Sequence, residues 1–575
     1  MSAHGPILIS ETTTAPANSM AANPKDIKAR CEQLQADRGN WNSHWEEIKN
    51  VFCPEHPSFT GETTDGTKVR QQIFKSSPQN YLELGAAGLN SLMTPAAQEW
   101  SKPRFIRDEL NQSDAGKEWL SQVAKVMRSE RYAPGTGFGQ AMDAAYREVL
   151  AFGNVSVFVG ERNNGRLLYQ ARPLSETYFA ENDEGIVDTM YRKPRFTARQ
   201  VMQKFPKTAS EKVRKFIKDN KPDTQIDIIH AVQPRTDRDY GKRGQADMPF
   251  LSCYIECSPD HILEEGGFPE WPFPTWRWRR NPGATYAISQ GMIALPEAKG
   301  LPQAEKNYLQ YLQRRAAPAW WIPDDGSAGP VRLEPNGINF FKGERQPMAM
   351  IAPGNASENM EWMQGKEREI GTVLYANILQ TQDTQTEMTY GEAEIRRQER
   401  WRLLGPVSES GTDFHAQIFS REFPILVRQG KIPEAPPELQ GQELTIEFTS
   451  PIATAQRIGQ AQILGQVLQL VAPLIAMDKT GQITDEVLSR IEASKVIPSI
   501  GDDMGLDPAL IVDDDVYMEN QQRKQMAMMA QNAIPMGADA AAKGAGAVDD
   551  LASAQEKGAD IAGLMERMGM QQQAA

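Results

Sequence analysis

The sequence predicts a mainly helical α+β protein assembled from several parts, and three observations carry that prediction. At 575 residues the chain is too long for one hydrophobic core, since single cores stop growing at roughly 250–300 residues. Apolar residues recur at three- and four-residue intervals along much of the chain, the spacing of one helix face, while strict alternation is confined to short runs. Hydrophobic residues make up 40% of the chain, with 11 Trp and 20 Phe, enough apolar surface to exclude wholesale disorder.

The elements follow in chain order. Residues 1–25 are rich in Ala, Ser, Thr, Asn and Pro and read as a flexible end. Trp41, Trp45, Ile48 and Phe52 then lie at i, i+4, i+7 and i+11 on one face of a helix that Pro54 ends. After a Gly- and Thr-rich loop, Ser77 and Pro78 read as cap and first-turn residue of a helix. Its Tyr81, Leu84, Gly88, Leu89 and Leu92 mark a face that another helix can approach closely. Helices are expected at Asp114–Arg131 and Phe138–Phe152, with Gly153 and Asn154 ending the second. VSVFVGE and RLLYQAR alternate and are β-branched enough to be strands, as are Ile226–Val232 and Phe250–Cys257. The run GGFPEWPFPTWRWRRNPGATYAISQG admits two readings. Its tryptophans beside Arg277, Arg279 and Arg280 could form a base-stacking platform, but aromatics this dense usually pack together, which is the reading favoured.

Two helices flank the next insertion. Leu301, Tyr308, Leu309 and Leu312 stripe the first, Pro296–Ala316; Met360, Met363, Ile370, Leu374 and Ile378 stripe the second, Glu358–Gln380. Each spans on the order of 30 Å, and the segment between them reads as short strands and turns. A polar turn, Thr381, Gln382, Asp383, Thr384, Gln385 and Thr386, leads into a long charge-laced helix. Thr389 and Glu392 form a capping box at its start. Ile395, Leu403, Val407, Phe414 and Ile418 stripe it, Arg396, Arg397, Glu399, Arg400 and Arg402 crowd the other faces, and Pro406 predicts a kink near Leu403–Gly405. LTIEFTSPIA beyond Pro437 reads as a strand. Helices are expected at Thr454–Ala476, Thr484–Ile497, where Asp485 and Glu486 suit the first turn, and Pro508–Gln531. The Ala-, Gly-, Met- and Gln-rich end reads as disordered or weakly helical.

Composition narrows the function classes. A formal charge of −13 argues against a protein that grips nucleic acid over its whole surface, because such binding draws on Lys and Arg displacing counterions; it is compatible with a channel through which DNA slides. Four cysteines, Cys31, Cys53, Cys253 and Cys257, are too few for a disulfide framework and suit a reducing cytoplasm. Cys253, Cys257 and His261 lack the usual zinc-knuckle spacing and a fourth ligand, so core packing is the favoured reading and no metal is assigned. No uninterrupted apolar stretch reaches transmembrane length, and no secretion signal is visible at the N-terminus. A phosphate-cradling G-x4-G-K-[ST] is absent; Gly365-Lys366 runs into Glu367 in a helical stretch, and Gly135, Gly137 and Gly139 read as a loop. Asp513, Asp514 and Asp515 read as solvated surface. With neither HExxH nor G-x-S-x-G, and only six His, neither catalysis nor a cofactor is expected.

The ordered set of features resembles the portal proteins, or head-to-tail connectors, of short-tailed bacteriophages, over most of residues 26–531. The residues that carry it are Asn281, Pro282, Gly283 and Tyr286 before the first paired helix, the helix, β-rich insert and helix that follow, the acidic and arginine-rich Glu392–Arg402, the step Leu403–Pro406, and the apolar run Phe423–Pro437 ending in a Pro-rich loop. The resemblance implies a portal fold with a wing over 26–293, stem helices over 294–317 and 357–380 around a clip at 318–356, and a tunnel loop at 381–388. A kinked core helix and return strand (389–450) and a helical crown (451–535) complete it, with loose ends at 1–25 and 536–575.

It further implies a homo-oligomeric ring, a dodecamer, at one capsid vertex of the virion, assembled in the host cytoplasm. Double-stranded DNA enters through the ring during packaging and leaves through it at ejection. The implied partners are the terminase large subunit, the tail adaptor and internal core proteins, and the major capsid and scaffolding proteins. Thr381, Gln382, Asp383, Thr384 and Gln385 would form the channel loop, where uncharged amides and hydroxyls touch phosphates without gripping them. Lys299, Lys306, Lys366 and Arg368 either face the channel or lie on ordinary solvated helix faces. Glu392, Arg396, Arg397 and Arg400 would pair between subunits. The alternatives are a tail adaptor or tube protein, or an enzyme of the packaging machinery.

Overall fold

The computed structural model describes residues 23–61, 76–236, 238, 244, 247–323, 332, 334–341, 346–349, 356–376, 405–449, 522–524 and 526. The chain divides into two compact units, Met1–Gly459 and Gln460–Ala575, and all but four described residues belong to the first. Those four, 522–524 and 526, are helical.

The first unit begins with α1 (Pro24–Asp37), α2 (Gly39–Phe52), α3 (Ser77–Met93), β1 (Ser101–Phe105), α4 (Asp108–Gln112), α5 (Asp114–Arg131) and α6 (Phe138–Phe152). Next come β2 (Asn154–Glu161), β3 (Leu167–Arg172), β4 (Thr177–Glu181), β5 (Val187–Arg192), β6 (Arg195–Thr197), α7 (Ala198–Lys204) and α8 (Glu211–Lys218). The strands β7 (Gln225–Pro234), β8 (Phe250–Glu256), β9 (His261–Phe268) and β10 (Thr275–Arg277) precede α9 (Gln290–Ala316). Last are β11 (Trp320–Pro323), β12 (Ile338–Phe341), β13 (Met348–Ala349), α10 (Ala356–Val373), α11 (Gly405–Arg428) and β14 (Leu444–Phe448).

Helix α6 is the hub. Glycines in the left-handed region, Gly137 (φ 78°) and Gly153 (φ 80°), stand at its two ends, where a side chain would be strained. Gly137 therefore belongs to the helix start, and the Gly135–Gly139 stretch leads into α6. Ten of its fifteen residues are buried, because α3, the β2–β3 ribbon and α9 all pack against it. The main sheet has strand order β4-β5-β7-β8-β9, with β6 pairing β7, and a smaller sheet has the order β10-β2-β3. Strand β14, expected from LTIEF, closes a two-stranded sheet with β1 in the register Ser101↔Phe448 to Phe105↔Leu444.

Several expectations are corrected by packing. On α3 the buried face is Leu82, Gly85, Ala86, Leu89 and Met93, whereas Leu84 is exposed. The close approach is made at Gly85, where an added Cβ would collide with the Leu374 carbonyl oxygen. Ser77 lies inside α3 rather than capping it, and its hydroxyl donates to Glu367 of α10. The aromatic run serves packing: Trp276 is buried with its ring 5.6 Å from Phe414 and 5.8 Å from Tyr146, and its Nε1–H donates to Ser410. Arg277 and Arg280 both donate to the Gly185 carbonyl and pair with Glu181.

Cys31 and Cys253 sit in a second apolar cluster with Ile27, Leu34, Tyr178 and Tyr191. Burial pushes the Cys31 thiol up to about 11 and the Cys253 thiol up to about 12, so both act as small apolar side chains. His261 instead contacts the Thr208 carbonyl at 2.7 Å.

Two buried arginines tie the unit together. Arg38, at the α1–α2 corner, is fully buried and donates to the carbonyls of Leu174, Ser175 and Thr177. Arg131 of α5 meets Glu422 of α11 at 3.0 Å with both side chains buried. Phe414 and Ile418 of α11 are buried as their spacing predicts. Pro406 is the second residue of the described helix, and the capping box, the start of the core helix and its expected kink at 389–404 lie outside the described residues. So do the helices expected at 454–476 and 484–497, and the third from 508 onward apart from the four residues named above.

Candidate functional site

The candidate site is the helix pair α9 and α10 with the small sheet between them. Ser289 starts α9: its hydroxyl accepts from the Met292 amide at 2.9 Å and donates to the Ala151 carbonyl at 2.8 Å. Gly291 lies where a Cβ would strike Ala151. Burial of Ala294, Leu295 and Ala298 carries the helix through Pro296 and Pro302, so α9 begins six residues before the proline taken as its start. Proline at either place removes one intrahelical donor, which the cap and the packing on α6 outweigh. At 27 residues the helix is about 40 Å long.

Helix α10 runs back antiparallel to it. Gln290 donates to the Tyr375 hydroxyl at 2.9 Å, Lys366 reaches Glu297 at 4.0 Å, and Tyr308 meets the Met360 sulfur at 3.3 Å. The described helix ends at Val373, short of the expected Gln380, and Tyr375 takes a left-handed φ of 59°. Toward the body of the unit the pair is sealed by buried Leu301, Met363, Ile370 and Leu374; away from it Leu309, Leu312, Met360 and Trp362 are exposed. The stripes read from the sequence are thus apolar along their whole length but covered over only half of it.

Between the helices, β11 pairs β12 in parallel and β13 antiparallel. Of the fifteen exposed large apolar residues among the described ones, nine fall between 290 and 376. That concentration makes this region the candidate interaction surface among the described residues. Aromatic density in WWIP and INFF was its sequence signal.

The described charged candidates have these surroundings. Lys299 reaches Glu47 of α2 at 2.5 Å, and this bond holds the Glu47 carboxyl below its usual range. Lys366 pairs with Glu369 at 2.7 Å, and that hydrogen bond raises its pKa. Lys306 and Arg368 are exposed. Thr381, Gln382, Asp383, Thr384 and Gln385 lie outside the described residues, as do Glu392, Arg396, Arg397 and Arg400. Among the described residues no three His, Cys, Asp or Glu are grouped to hold a metal ion, and no helix is long and apolar enough to cross a membrane.

Comparison with known proteins finds relatives along most of the chain. The chain is 28% identical over 545 residues to the probable portal protein of Bordetella phage BPP-1, covering 91% of this chain and 96% of that protein. It is 25% identical over 540 residues to the portal protein of Salmonella phage epsilon15, covering 92% and 95% respectively. The family model for bacteriophage head to tail connecting proteins matches residues 24–512. The chain belongs to the bacteriophage head to tail connecting protein family.

Proposed function

We propose that this chain is the subunit of a ring-shaped portal at one vertex of a short-tailed phage capsid, through which double-stranded DNA enters during packaging and leaves at ejection. The observation that carries the proposal is the exposed apolar surface gathered on the α9–α10 pair and its sheet, which a lone chain leaves in water. In a closed ring each contact is heterologous, one flank of a subunit against the other flank of its neighbour, so every such surface is covered without a free end.

The role is geometric and electrostatic rather than catalytic, and requires no cofactor. A chain of net charge −13 repels a polyanion, and a channel loop of Thr381, Gln382, Asp383, Thr384 and Gln385 offers amides and hydroxyls that touch phosphates without holding them. Glu392, Arg396, Arg397 and Arg400 would pair between neighbouring core helices. Terminase, then tail proteins, would dock on the ring, with capsid, scaffolding and internal core proteins around it. Electron microscopy with native mass measurement tests the reading. Rings with a central hole and a mass near twelve chains of 64.1 kDa are expected, about 770 kDa; monomers or dimers persisting at high concentration would overturn it in favour of a tail adaptor.

A further inference from the structure

Residues 193–221 reverse the charge of the chain. Ten Lys and Arg stand there against Glu211 and Asp219, so the segment carries +8 and the rest of the chain −21, within an overall −13. All ten bases are exposed. The segment folds as a small lobe of β6, α7 and α8. Thr197 and Gln200 close the start of α7 in a capping box, and the Ser210 hydroxyl caps α8 by accepting from the Val213 amide at 3.3 Å. Ala198, Val201, Phe205, Ala209 and Val213 pack with Ile226, Ile228 and Leu263 in an apolar cluster apart from the one that holds α9 and α10. The apolar positions therefore turn inward and the bases outward: Arg214, Lys215 and Lys218 share the face of α8 opposite buried Val213. The Arg214 guanidinium donates to the Lys207 and Ala209 carbonyls at 2.9 and 3.0 Å, which brings Lys207 beside that face, and Lys221 follows the end of the helix.

We propose that this lobe holds the phosphate backbone of duplex DNA on a surface separate from the threaded channel. The choice of duplex DNA as the polyanion rests on the conduit reading given above. Three observations select a polyanion. Arg195 alone of the ten bases forms an ion pair among the described residues, with Asp227 at 3.2 Å, so the other positive charges are not offset by carboxylates. Helix-end stabilisation accounts for Lys215 and Lys218 in the last turn of α8, but not for Lys207 or Lys221, and Arg199 stands in the first turn of α7, where the helix dipole disfavours a cation. Ile217 is the one large apolar side chain exposed on the lobe among the described residues, whereas protein-binding surfaces gather aromatics and are depleted in Lys. Bases this dense release counterions from the phosphates they touch and grip them. The lobe therefore suits DNA that stays in place, not DNA sliding past an uncharged loop. The acidic remainder of the chain repels the same polymer, which confines the contact to the lobe.

Filter binding of relaxed closed-circular plasmid to the full-length protein tests this, because a closed circle cannot be threaded through a ring. Contact with about six phosphates gives log affinity a slope of about −5 against log salt, a loss of about 10³-fold between about 50 and 200 mM. The combined variant Lys207→Gln, Lys215→Gln, Lys218→Gln and Lys221→Gln should reduce that slope to about −2 and weaken binding about 100-fold at about 50 mM salt. Its circular dichroism spectrum should match the wild type, since all four side chains are exposed. The same four positions changed to Arg should bind like the wild type. Unchanged plasmid binding by the Gln variant would overturn the proposal. So would displacement by polyglutamate as effective as displacement by DNA of equal charge, which would assign the lobe to an acidic protein partner. Rings that form but retain no plasmid would overturn it and leave the conduit reading standing; wild-type protein that binds plasmid through these lysines without forming rings would uphold the lobe and remove the ring.

Discussion

Replacing Arg38 by Met should be among the most damaging single changes available to this fold. The guanidinium is fully buried at the corner where α1 ends and α2 begins. It donates to the carbonyls of Leu174 at 2.7 Å, Thr177 at 2.5 Å and Ser175 at 3.1 Å, and lies 4.0 Å over the Tyr178 ring and 5.5 Å over Trp45. Among the described residues it has no carboxylate partner, so its charge is balanced by carbonyl dipoles and ring faces. Met fills similar volume but donates nothing, leaving three carbonyls to lose a charged donor at about 1–3 kcal/mol each, together with roughly 1–2 kcal/mol of cation–π attraction. Relief of the guanidinium's own desolvation offsets part of this, and a net loss of about 4 kcal/mol remains. For a unit spanning Met1–Gly459 that lowers the melting midpoint by about 4 °C. Arg38→Lys keeps the charge but loses the planar fork, and should cost about half as much. Calorimetric melts of wild type, Arg38→Lys and Arg38→Met read the series directly. A fall below about 2 °C for Arg38→Met, or a lysine variant no better than the methionine one, would refute the account. The corner also holds α2, whose Glu47 receives Lys299 of α9, so the loss should reach the helix pair.

Three further outcomes are expected. Burial first, and Arg131 second, lower the His415 pKa to about 3, so the folded ring stays neutral while the unfolded ring takes a proton below about 6.5; stability should therefore fall as pH drops from about 6.5 toward 3, by up to about 1.4 kcal/mol per unit, and His415→Gln should flatten that slope in melts recorded across the range. Gly85→Ala should destabilise by about 1–3 kcal/mol, because its Cβ meets the Leu374 carbonyl, whereas Gly139→Ala, in a helix with open space around it, should raise stability by about 0.5–1 kcal/mol; chemical denaturation of the two variants checks the contrast. Deleting residues 382–384 should leave rings intact by microscopy but cut DNA packaging in an assembly assay, and normal packaging would remove the channel-loop assignment.

The sequence by itself determined the elements whose signal is local. Asp114–Arg131 and Phe138–Phe152 are helices with the bounds their spacing predicts, and VSVFVGE, RLLYQAR and the strands near 226 and 250 form as alternation and β-branching require. These signals survive because helix and strand periods are properties of a few adjacent residues, and caps and glycine ends act within one turn. The order of helix, strand-rich insert and helix was legible for the same reason. Only the tertiary structure decided which side of each element is inside. Leu84 faces water and Gly85 faces α10 because the Leu374 carbonyl arrives from 289 positions away in the chain. Trp276 went to the core because Tyr146, Ser410 and Phe414 converge on it. Helix α9 starts at Ser289, ahead of two prolines, because Ala151 accepts its cap hydroxyl. Lys299 faces α2 because Glu47, 252 residues earlier, is folded against it. Such pairings depend on distances between remote segments, which leave no periodic trace in the chain, and an apolar stripe left exposed reads, residue by residue, like an ordinary core stripe.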